Sequence, residues 1–369
     1  MKITRINVHQ VFIPFNPLGS RWIGRKKPSH LDSTVVAIET DEGLTGHGES
    51  CPIAAIYLPA FAGGLRAALG EMAPALLGQD PTQVDVIYQA MDEALFGHGY
   101  AKAAVDIACW DLLGKATGLP VSHLIGGRFS DRIPAYASVW LDNPETMVQT
   151  LGEKRDQGYT RFQIKVGSSP DDDVARIRAL LGTDMHTDTF MVDANRGWSK
   201  GDALRVVKAV ADADCYIEQP CATYAECLEV RRQCRHPMIL DEVLDSPSDL
   251  ARALDDDALD GMVIKVTHAG GLTPARILRD MCAAHGIKMR LEDTAGSEIT
   301  RAAQAQLAAA TPLECQLGSY GFLNDMPPVA TGAPEIDGGS LVLNHSPGLG
   351  VEPDPSQLGE PVASYGGDQ

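Results

Sequence analysis

The sequence predicts an α/β protein in which a small α+β domain precedes a (β/α) barrel. Strands followed by helices dominate the first 125 residues, a pattern that is typical of an α+β domain. A short apolar strand, a turn and an amphipathic helix then recur along the chain, and this alternation indicates a barrel. The 369 residues are enough for one large barrel or for two domains that share a core.

The first domain, residues 1–125, begins with segments of strand character. Residues 3–13 and 33–39 alternate between apolar and polar or are rich in β-branched side chains, and the turn Asp41-Glu42-Gly43 precedes the next strand. This pattern predicts an antiparallel meander. Helices are predicted over residues 60–77, 85–95 and 100–117, the last of which stops at Gly118 before Pro120.

The barrel is predicted over residues 126–326. Helices fit between its strands, with Ser246 as an N-cap and with Gly158 and Gly286 as C-terminal stops. An open doubly wound sheet is the alternative, but no GxGxxG or Walker A motif follows the first strand to favour nucleotide binding. Residues 327–369 are predicted to return to the first domain. The eight strand candidates are residues 135–141, 161–166, 189–193, 216–219, 238–241, 261–266, 288–291 and 313–316.

Composition and charge argue against several classes of protein. The formal net charge of −18 disfavours nucleic acid as a partner, because an acidic surface repels phosphates. No apolar run reaches the roughly 18 residues that a membrane span needs. The N-terminus leads into a strand pattern and does not resemble a signal peptide. None of the eight cysteines forms a CxxC pair, so we expect reduced thiols in a cytoplasmic protein.

Three acidic residues lie at the ends of consecutive apolar strands: Asp193, Glu218 and Asp241. The carboxyl ends of barrel strands form one ring, which is the face that carries active sites in this architecture. Three carboxylates on adjacent strands would repel one another, and a hard divalent cation relieves that repulsion. The sequence therefore predicts a Mg²⁺ site at this end of the barrel.

Two lysines, Lys165 and Lys265, end the strands on either side of the three acid-bearing strands. Because a buried ammonium is costly, a lysine at an apolar strand end suggests a function. A nearby cation and partial burial would lower the pKa of such a lysine and make its amine a base near pH 7. The pattern predicts removal of the proton next to a substrate carboxylate, with the metal stabilising the enediolate that forms.

A set of short motifs points to one known family: Gly48-Glu49 with Pro52, residues 104–112, Gln163-Ile164-Lys165-Val166-Gly167, Val192-Asp193-Ala194-Asn195, Ile217-Glu218-Gln219-Pro220, Leu240-Asp241-Glu242 and Ile264-Lys265. With them the chain resembles the muconate lactonizing enzyme subgroup of the enolase superfamily over essentially its whole length. The resemblance implies an N-terminal α+β capping domain over a modified TIM barrel of the (β/α)7β type, Mg²⁺ on the three acids, and acid/base roles for the two lysines. The family commonly has a lysine where this chain has Gln163.

Within that subgroup, four segments resemble the branch that acts on proline derivatives: Cys51-Pro52, Gln163-Ile164-Lys165, Pro347-Gly348-Leu349-Gly350 and Pro361-Val362-Ala363-Ser364. The resemblance implies a small proline-derived carboxylate as substrate and dehydration of cis-3-hydroxy-L-proline to Δ1-pyrroline-2-carboxylate. A homo-oligomer is expected. Side chains expected to contact the substrate are Trp22, Tyr57, Gln163, Asp293, Thr294 and Tyr320.

The sequence leaves other activities open. The same two lysines could return a proton to the opposite face of the substrate, which would make the protein a racemase or 2-epimerase of 4-hydroxyproline betaine or proline betaine. One lysine could instead form a Schiff base, as in an aldolase. A ligand-binding barrel without catalysis is the simplest reading. Which lysine is the base and which is the acid is also open.

Overall fold

A computed structural model describes residues 1–14, 30–53, 57, 59–183, 187–321 and 328–367. The N-terminal part contains an antiparallel sheet covered by helices, as the sequence predicts. Its strands are β1 (Ile3–Pro14), β2 (His30–Thr40) and β3 (Thr45–Ser50), and its helices are α1 (Ala62–Leu76), α2 (Val84–Ala94), α3 (Gly99–Thr117) and α4 (Val121–Leu124).

Helix α3 is buried along most of its length because it packs against the sheet of its own domain and against the barrel. The contact with β3 is unusually close, and two glycines make it possible. A Cβ atom at Gly48 would lie 2.0 Å from the carbonyl oxygen of Ala104, and one at Gly46 would lie 2.3 Å from that of Ala108. Larger residues at either glycine would force strand and helix apart.

Eight parallel strands follow and close into a barrel, since the last strand also pairs with the first through Ser319 and Ala135. The predicted fold class is therefore confirmed, and the order of seven strand–helix units before a final strand is (β/α)7β. The elements are β4 (Arg132–Val139), α5 (Pro144–Asp156), β5 (Arg161–Lys165), α6 (Pro170–Leu181), β6 (Thr189–Asp193), α7 (Lys200–Ala209), β7 (Tyr216–Glu218), α8 (Tyr224–Arg231), β8 (Met238–Leu240), α9 (Pro247–Asp255), β9 (Gly261–Lys265), α10 (Val266–Ala269), α11 (Leu272–Ala284), β10 (Lys288–Glu292), α12 (Glu298–Ala309) and β11 (Gln316–Tyr320).

Local sequence signals explain where the barrel helices begin and end. The predicted N-cap Ser246 accepts a hydrogen bond from the backbone N of Asp249 at 3.2 Å, which satisfies one of the free donors at the start of α9. Gly158 and Gly286 follow α5 and α11 with φ of 90° and 71°, a left-handed conformation that favours glycine. These three predictions are confirmed.

The last barrel strand was predicted wrongly, at residues 313–316. Leu313 to Cys315 form a short 3₁₀ turn after Pro312, and the strand is β11, which follows it. The apolar pattern was misleading because Leu313 is 43% exposed, whereas β11 itself contains the small residues Gly318 and Ser319. A strand that carries so few large apolar side chains does not stand out in the sequence.

The C-terminal residues contact both parts of the protein. Strand β14 pairs with β4 of the barrel, and β16 pairs with β1 of the N-terminal sheet. Among the helices described here, none combines the length and apolarity that crossing a bilayer requires. The elements of this segment are β12 (Ala330–Thr331), β13 (Glu335–Asp337), β14 (Ser340–Val342), β15 (Glu352–Pro353), α13 (Pro355–Leu358) and β16 (Ala363–Gly366).

The interior of the barrel separates an apolar layer from a polar end. An inner cluster of apolar side chains is formed by Tyr136, Met191, Ile239, Val263 and Leu317, each from a different strand. Polar side chains occupy the carboxyl ends of the same strands. The fold therefore places the polar side chains above a closed layer of apolar side chains, at the end where barrel enzymes carry their active sites.

Candidate active site

The strand ends bring the predicted lysines and acids to one end of the barrel. Lys165 pairs in register with Asp193, and Asp193 with Glu218, on adjacent strands. Lys265 ends β9, and Asp241 directly follows β8. The three acids are at most 2% exposed, so their charges are held away from bulk water.

Asp193 lies at the centre of one hydrogen-bond cluster. Its Oδ2 accepts from Lys165 Nζ at 2.6 Å and from Gln163 Nε2 at 2.8 Å, and its Oδ1 accepts from the backbone N of Asn195 at 2.7 Å. The Asn195 side chain also accepts from Lys165 Nζ, at 2.9 Å. Gln163 therefore points into the site, where its amide also lies 3.5 Å from Glu218 Oε1.

Lys265 belongs to a second cluster. Its Nζ donates to both carboxylate oxygens of Asp241, lies 3.3 Å from the hydroxyl of Tyr57, and lies 3.6 Å from Glu292 Oε1. Burial by itself lowers the pKa of Lys265, but the carboxylates around it outweigh burial and raise the pKa above its ordinary value. Asp241 pairs directly with the ammonium group, which favours its charged form. The lowered pKa that the sequence predicts belongs to a lysine beside a bound divalent cation, and it stays a prediction.

Glu218 pairs with a residue that we did not predict. Both oxygens of Glu218 accept from the guanidinium of Arg290, whose Nε donates to Glu292 Oε2 at 2.8 Å. The hydroxyl of Tyr136 also donates to Glu292. Burial raises the pKa of Glu218 to about 8; Arg290 opposes this rise and Asp193 adds to it.

Arg290 and Glu292 lie on alternate positions of β10, so both side chains enter the barrel. Polar residues that alternate with apolar ones in this strand could have indicated that Arg290 and Glu292 face the site. From the sequence we predicted a role only for the residue that follows, Asp293. Burial alone would raise the pKa of Glu292, yet Arg290 and then the two lysines hold it below its ordinary value. Lys265 lies 3.6 Å from Glu292, and Lys165 ends a strand of the same barrel.

The predicted metal ligands are hard oxygen donors, but each is paired with a cationic group. In the part of the chain that the structure describes, no three or more His, Cys, Asp or Glu side chains are arranged as a metal site. Asp193 and Asp241 pair with the two lysines, and Glu218 with Arg290. Burial nevertheless raises the pKa of Asp241 and Glu218. Three buried carboxylates on neighbouring strand ends fit Mg²⁺ by their chemistry.

Breaking the buried ion pair at Arg290 is expected to cause a large loss of stability. In an Arg290→Met variant, the buried Glu218 and Glu292 lose their shared cationic partner, so we expect the free energy of unfolding to fall by about 3–5 kcal/mol. Urea denaturation monitored by circular dichroism measures this change. The control is Arg232→Met, because the pair of Arg232 with Glu229 is exposed and contributes about 1 kcal/mol or less. Equal losses in the two variants would contradict the prediction.

The structure places most of the predicted substrate-contacting residues around this interior. Asp293 is buried and accepts hydrogen bonds from the backbone N and hydroxyl of Thr267 and from the backbone N of Thr294. Burial raises the pKa of Asp293 to about 7. Tyr320 stacks on Tyr136 with ring centroids 5.3 Å apart. Trp22 lies outside the described residues.

Thr294 and Tyr57 were also predicted to contact the substrate, and both lie beside other polar groups. The hydroxyl of Thr294 lies 3.4 Å from that of Tyr100. The ring of Tyr57 lies beside Lys265, with Nζ 5.7 Å from its centroid, and beside the guanidinium of Arg196, 5.5 Å from its centroid. The contacts of these residues with a substrate stay predictions.

Comparison with known families gives two matches that together span most of the chain. The family described as enolase C-terminal domain-like matches residues 146–357. The family described as mandelate racemase / muconate lactonizing enzyme, N-terminal domain, matches residues 24–126. The first match covers the larger part of the barrel, and the second covers most of the capping region.

Individual relatives are similar over nearly the whole chain. A cis-3-hydroxy-L-proline dehydratase of Roseibium aggregatum is 46% identical over 370 residues, covering 99% of this chain and 100% of that protein. An N-succinyl-L-Arg/Lys racemase of Bacillus cereus is 30% identical over 365 residues, covering 95% of each. The crystal structure of an enolase superfamily member from Roseovarius nubinhibens, complexed with magnesium, has a TM-score of 0.94 and 38% identity, covering 99% of this chain and 100% of that one.

Proposed function

Because this chain belongs to the mandelate racemase / muconate lactonizing enzyme family of the enolase superfamily, we propose that it dehydrates cis-3-hydroxy-L-proline to Δ1-pyrroline-2-carboxylate. The observation that carries the proposal is the pair of lysines at the ends of β5 and β9, with three buried acids on the strands between them. The full-length similarity to a cis-3-hydroxy-L-proline dehydratase supports the choice of substrate.

The proposed chemistry follows from the stereochemistry of the substrate. In cis-3-hydroxy-L-proline the hydroxyl and the carboxylate lie on one face of the ring, so the α-hydrogen lies on the opposite face. A base on one side and an acid on the other can therefore remove water in the anti sense. In our assignment Lys165 takes the α-proton and Lys265 gives a proton to the leaving hydroxyl. The resulting enamine then tautomerises to the cyclic imine.

We propose that Asp193, Glu218 and Asp241 hold Mg²⁺ in the working enzyme. Bound there, the ion would supply positive charge for the substrate carboxylate as the α-proton leaves. The side chains paired with these acids would then be free to face the substrate. Support comes from the magnesium complex of the Roseovarius nubinhibens relative and from the hard oxygen donors of the site.

The substrate itself would be held by groups around the barrel mouth. We assign contacts with the ring nitrogen and ring carbons to Trp22, Tyr57, Asp293, Thr294 and Tyr320. Gln163 would contact the substrate carboxylate without adding a second charge beside Lys165. All eight cysteines lie in the described residues and none forms a disulfide. The cytoplasmic setting stays a prediction. The homo-oligomer also stays a prediction.

A second candidate function is racemisation or 2-epimerisation of 4-hydroxyproline betaine or proline betaine. The 30% identity to an N-succinyl-L-Arg/Lys racemase favours it, because two lysines can also exchange the α-proton between faces. In that case the substrate would lose no water, and the hydroxyl of 4-hydroxyproline betaine would stay on the ring. An aldolase that uses a Schiff-base lysine is a more distant alternative.

Proton NMR in D₂O separates these functions. With Mg²⁺ and cis-3-hydroxy-L-proline, we expect the pyrroline product to appear while the substrate signals disappear. The matched control is trans-3-hydroxy-L-proline, whose α-hydrogen lies on the same face as the hydroxyl; we expect its dehydration to be slower by about 10²-fold or more, since one of the two proton transfers is misaligned.

Other outcomes would replace the proposal. α-Deuterated isomers that keep their hydroxyl would indicate the epimerase. Inactivation by borohydride in the presence of a carbonyl substrate, together with indifference to EDTA, would indicate the aldolase.

A further inference from the structure

Glu49, on β3 of the capping sheet, is a fully buried carboxylate that joins the two domains. Its oxygens accept from the backbone N of Ser297 at 2.9 and 3.0 Å and from the hydroxyl of Ser297 at 2.7 Å. Thr300 donates through its backbone N at 3.1 Å and its hydroxyl at 2.8 Å. Within the capping sheet, Ser33 Oγ donates at 2.5 Å.

The donors in the barrel lie at the start of α12. Ser297 is the N-cap of this helix, and Thr300 is in its first turn. The first backbone N–H groups of a helix have no partner within the helix, and its N-terminal end favours negative charge. A carboxylate of the capping domain therefore accepts hydrogen bonds from the free N–H groups at the start of a barrel helix. These bonds fix the strand and the helix relative to each other.

Glu49 also lies where two segments of the proposed active site approach each other. On the capping side, the chain runs from Glu49 through Cys51 to Tyr57, whose hydroxyl is 3.3 Å from Lys265 Nζ. On the barrel side, the residues just before Ser297 include Asp293 and Thr294. Cys51, two residues after Glu49, is fully buried, and Ser297, which donates to Glu49, comes three residues after Thr294.

We infer that Glu49 is a positioning residue, which holds the capping segment that carries Tyr57 against the barrel segment that carries Asp293 and Thr294. Glu49 acts through these residues and does not touch the substrate. The inference deepens the proposed function, on which its kinetic test rests. Loss of the tether would displace substrate-binding groups, while the lysines stay fixed at their strand ends.

The first test is Glu49→Gln, which keeps the size of the side chain but removes its charge and presents an amide to N–H donors. We expect KM for cis-3-hydroxy-L-proline to rise by about tenfold or more while kcat stays within about threefold, because binding groups are displaced and proton-transfer groups are not. Hydrogen exchange at the amides of Ser297 and Thr300, measured by mass spectrometry without substrate, should become about tenfold faster or more. Thr300→Val, which removes one donor, should raise KM in the same direction but less.

Asp111→Asn is the matched control. Asp111 is also buried in the capping domain and accepts from the backbone N of His47, on the same strand as Glu49, and from that of Leu349. We expect this variant to lower the melting temperature without changing KM. An unchanged KM in Glu49→Gln, or an equal rise in Asp111→Asn, would overturn the inference.

The exchange measurement separates this inference from the proposed function. If the wild-type protein did not dehydrate hydroxyproline, the proposed function would fail. Faster exchange in Glu49→Gln at Ser297 and Thr300 would still support the tether, and unchanged exchange would overturn it.

Discussion

Replacing Lys165 or Lys265 by alanine is expected to lower kcat for dehydration by about 10²- to 10⁴-fold, which is the usual contribution of a positioned acid or base. Each variant keeps the residues proposed to bind the substrate and the metal ion, but it lacks one of the two lysines proposed to transfer protons. Steady-state kinetics with cis-3-hydroxy-L-proline measures the loss. Lys288→Ala is the matched control, because Lys288 begins β10 at the opposite end of the barrel and donates to the backbone oxygen of Glu314. We expect its kcat to stay within about threefold of wild type.

Exchange in D₂O then assigns the roles of the two lysines. If Lys165 is the base, Lys265→Ala should still exchange the α-hydrogen for deuterium, with retention at C2, although water is no longer lost. Lys165→Ala should show no exchange. The opposite pattern would reverse the assignment, and a Lys165→Ala/Lys265→Ala double variant with wild-type activity would refute the two-lysine mechanism.

The fold was predictable where a run of apolar residues has a polar end. Strands β5 to β10 each combine a buried run with a charged or polar boundary, and they lie within two residues of their predicted bounds. Strand β11 was predicted too early because Gly318 and Ser319 contribute little hydrophobic signal. Its place in the barrel is set by pairing with β10 and β4, which are contacts that a local pattern does not contain.

Side-chain partners in the site were less predictable than its strand-end positions. Alternation in a strand indicates which side chains enter the barrel, but it does not say which of them pair. Nothing in the sequence therefore predicted that Arg290 donates hydrogen bonds to both oxygens of Glu218, 72 residues away along the chain. Glu49 and Ser297 are 248 residues apart, and only the packing of the two domains brings them together.

Removal of the proposed Mg²⁺ is expected to have the second large effect. After dialysis against EDTA, we expect kcat to fall by about 10³-fold or more, because several kcal/mol of charge stabilisation at the substrate carboxylate would be lost. Adding Mg²⁺ should restore activity. An Asp193→Asn variant should stay inactive with added Mg²⁺, and calorimetry should detect weaker Mg²⁺ binding to it, since a neutral amide is a poorer ligand for a hard cation than a carboxylate.

The opposite end of the same strand provides the control for Asp193. Asp188 lies just before β6, has a fully buried side chain, and pairs with Arg155 at 2.7 Å. An Asp188→Asn variant loses a buried charge on the same strand but far from the barrel mouth. We therefore expect it to lose stability while it binds Mg²⁺ with wild-type affinity. Full activity after EDTA treatment, or equal Mg²⁺ affinity in Asp193→Asn and wild type, would show that the acids at the strand ends do not hold the ion.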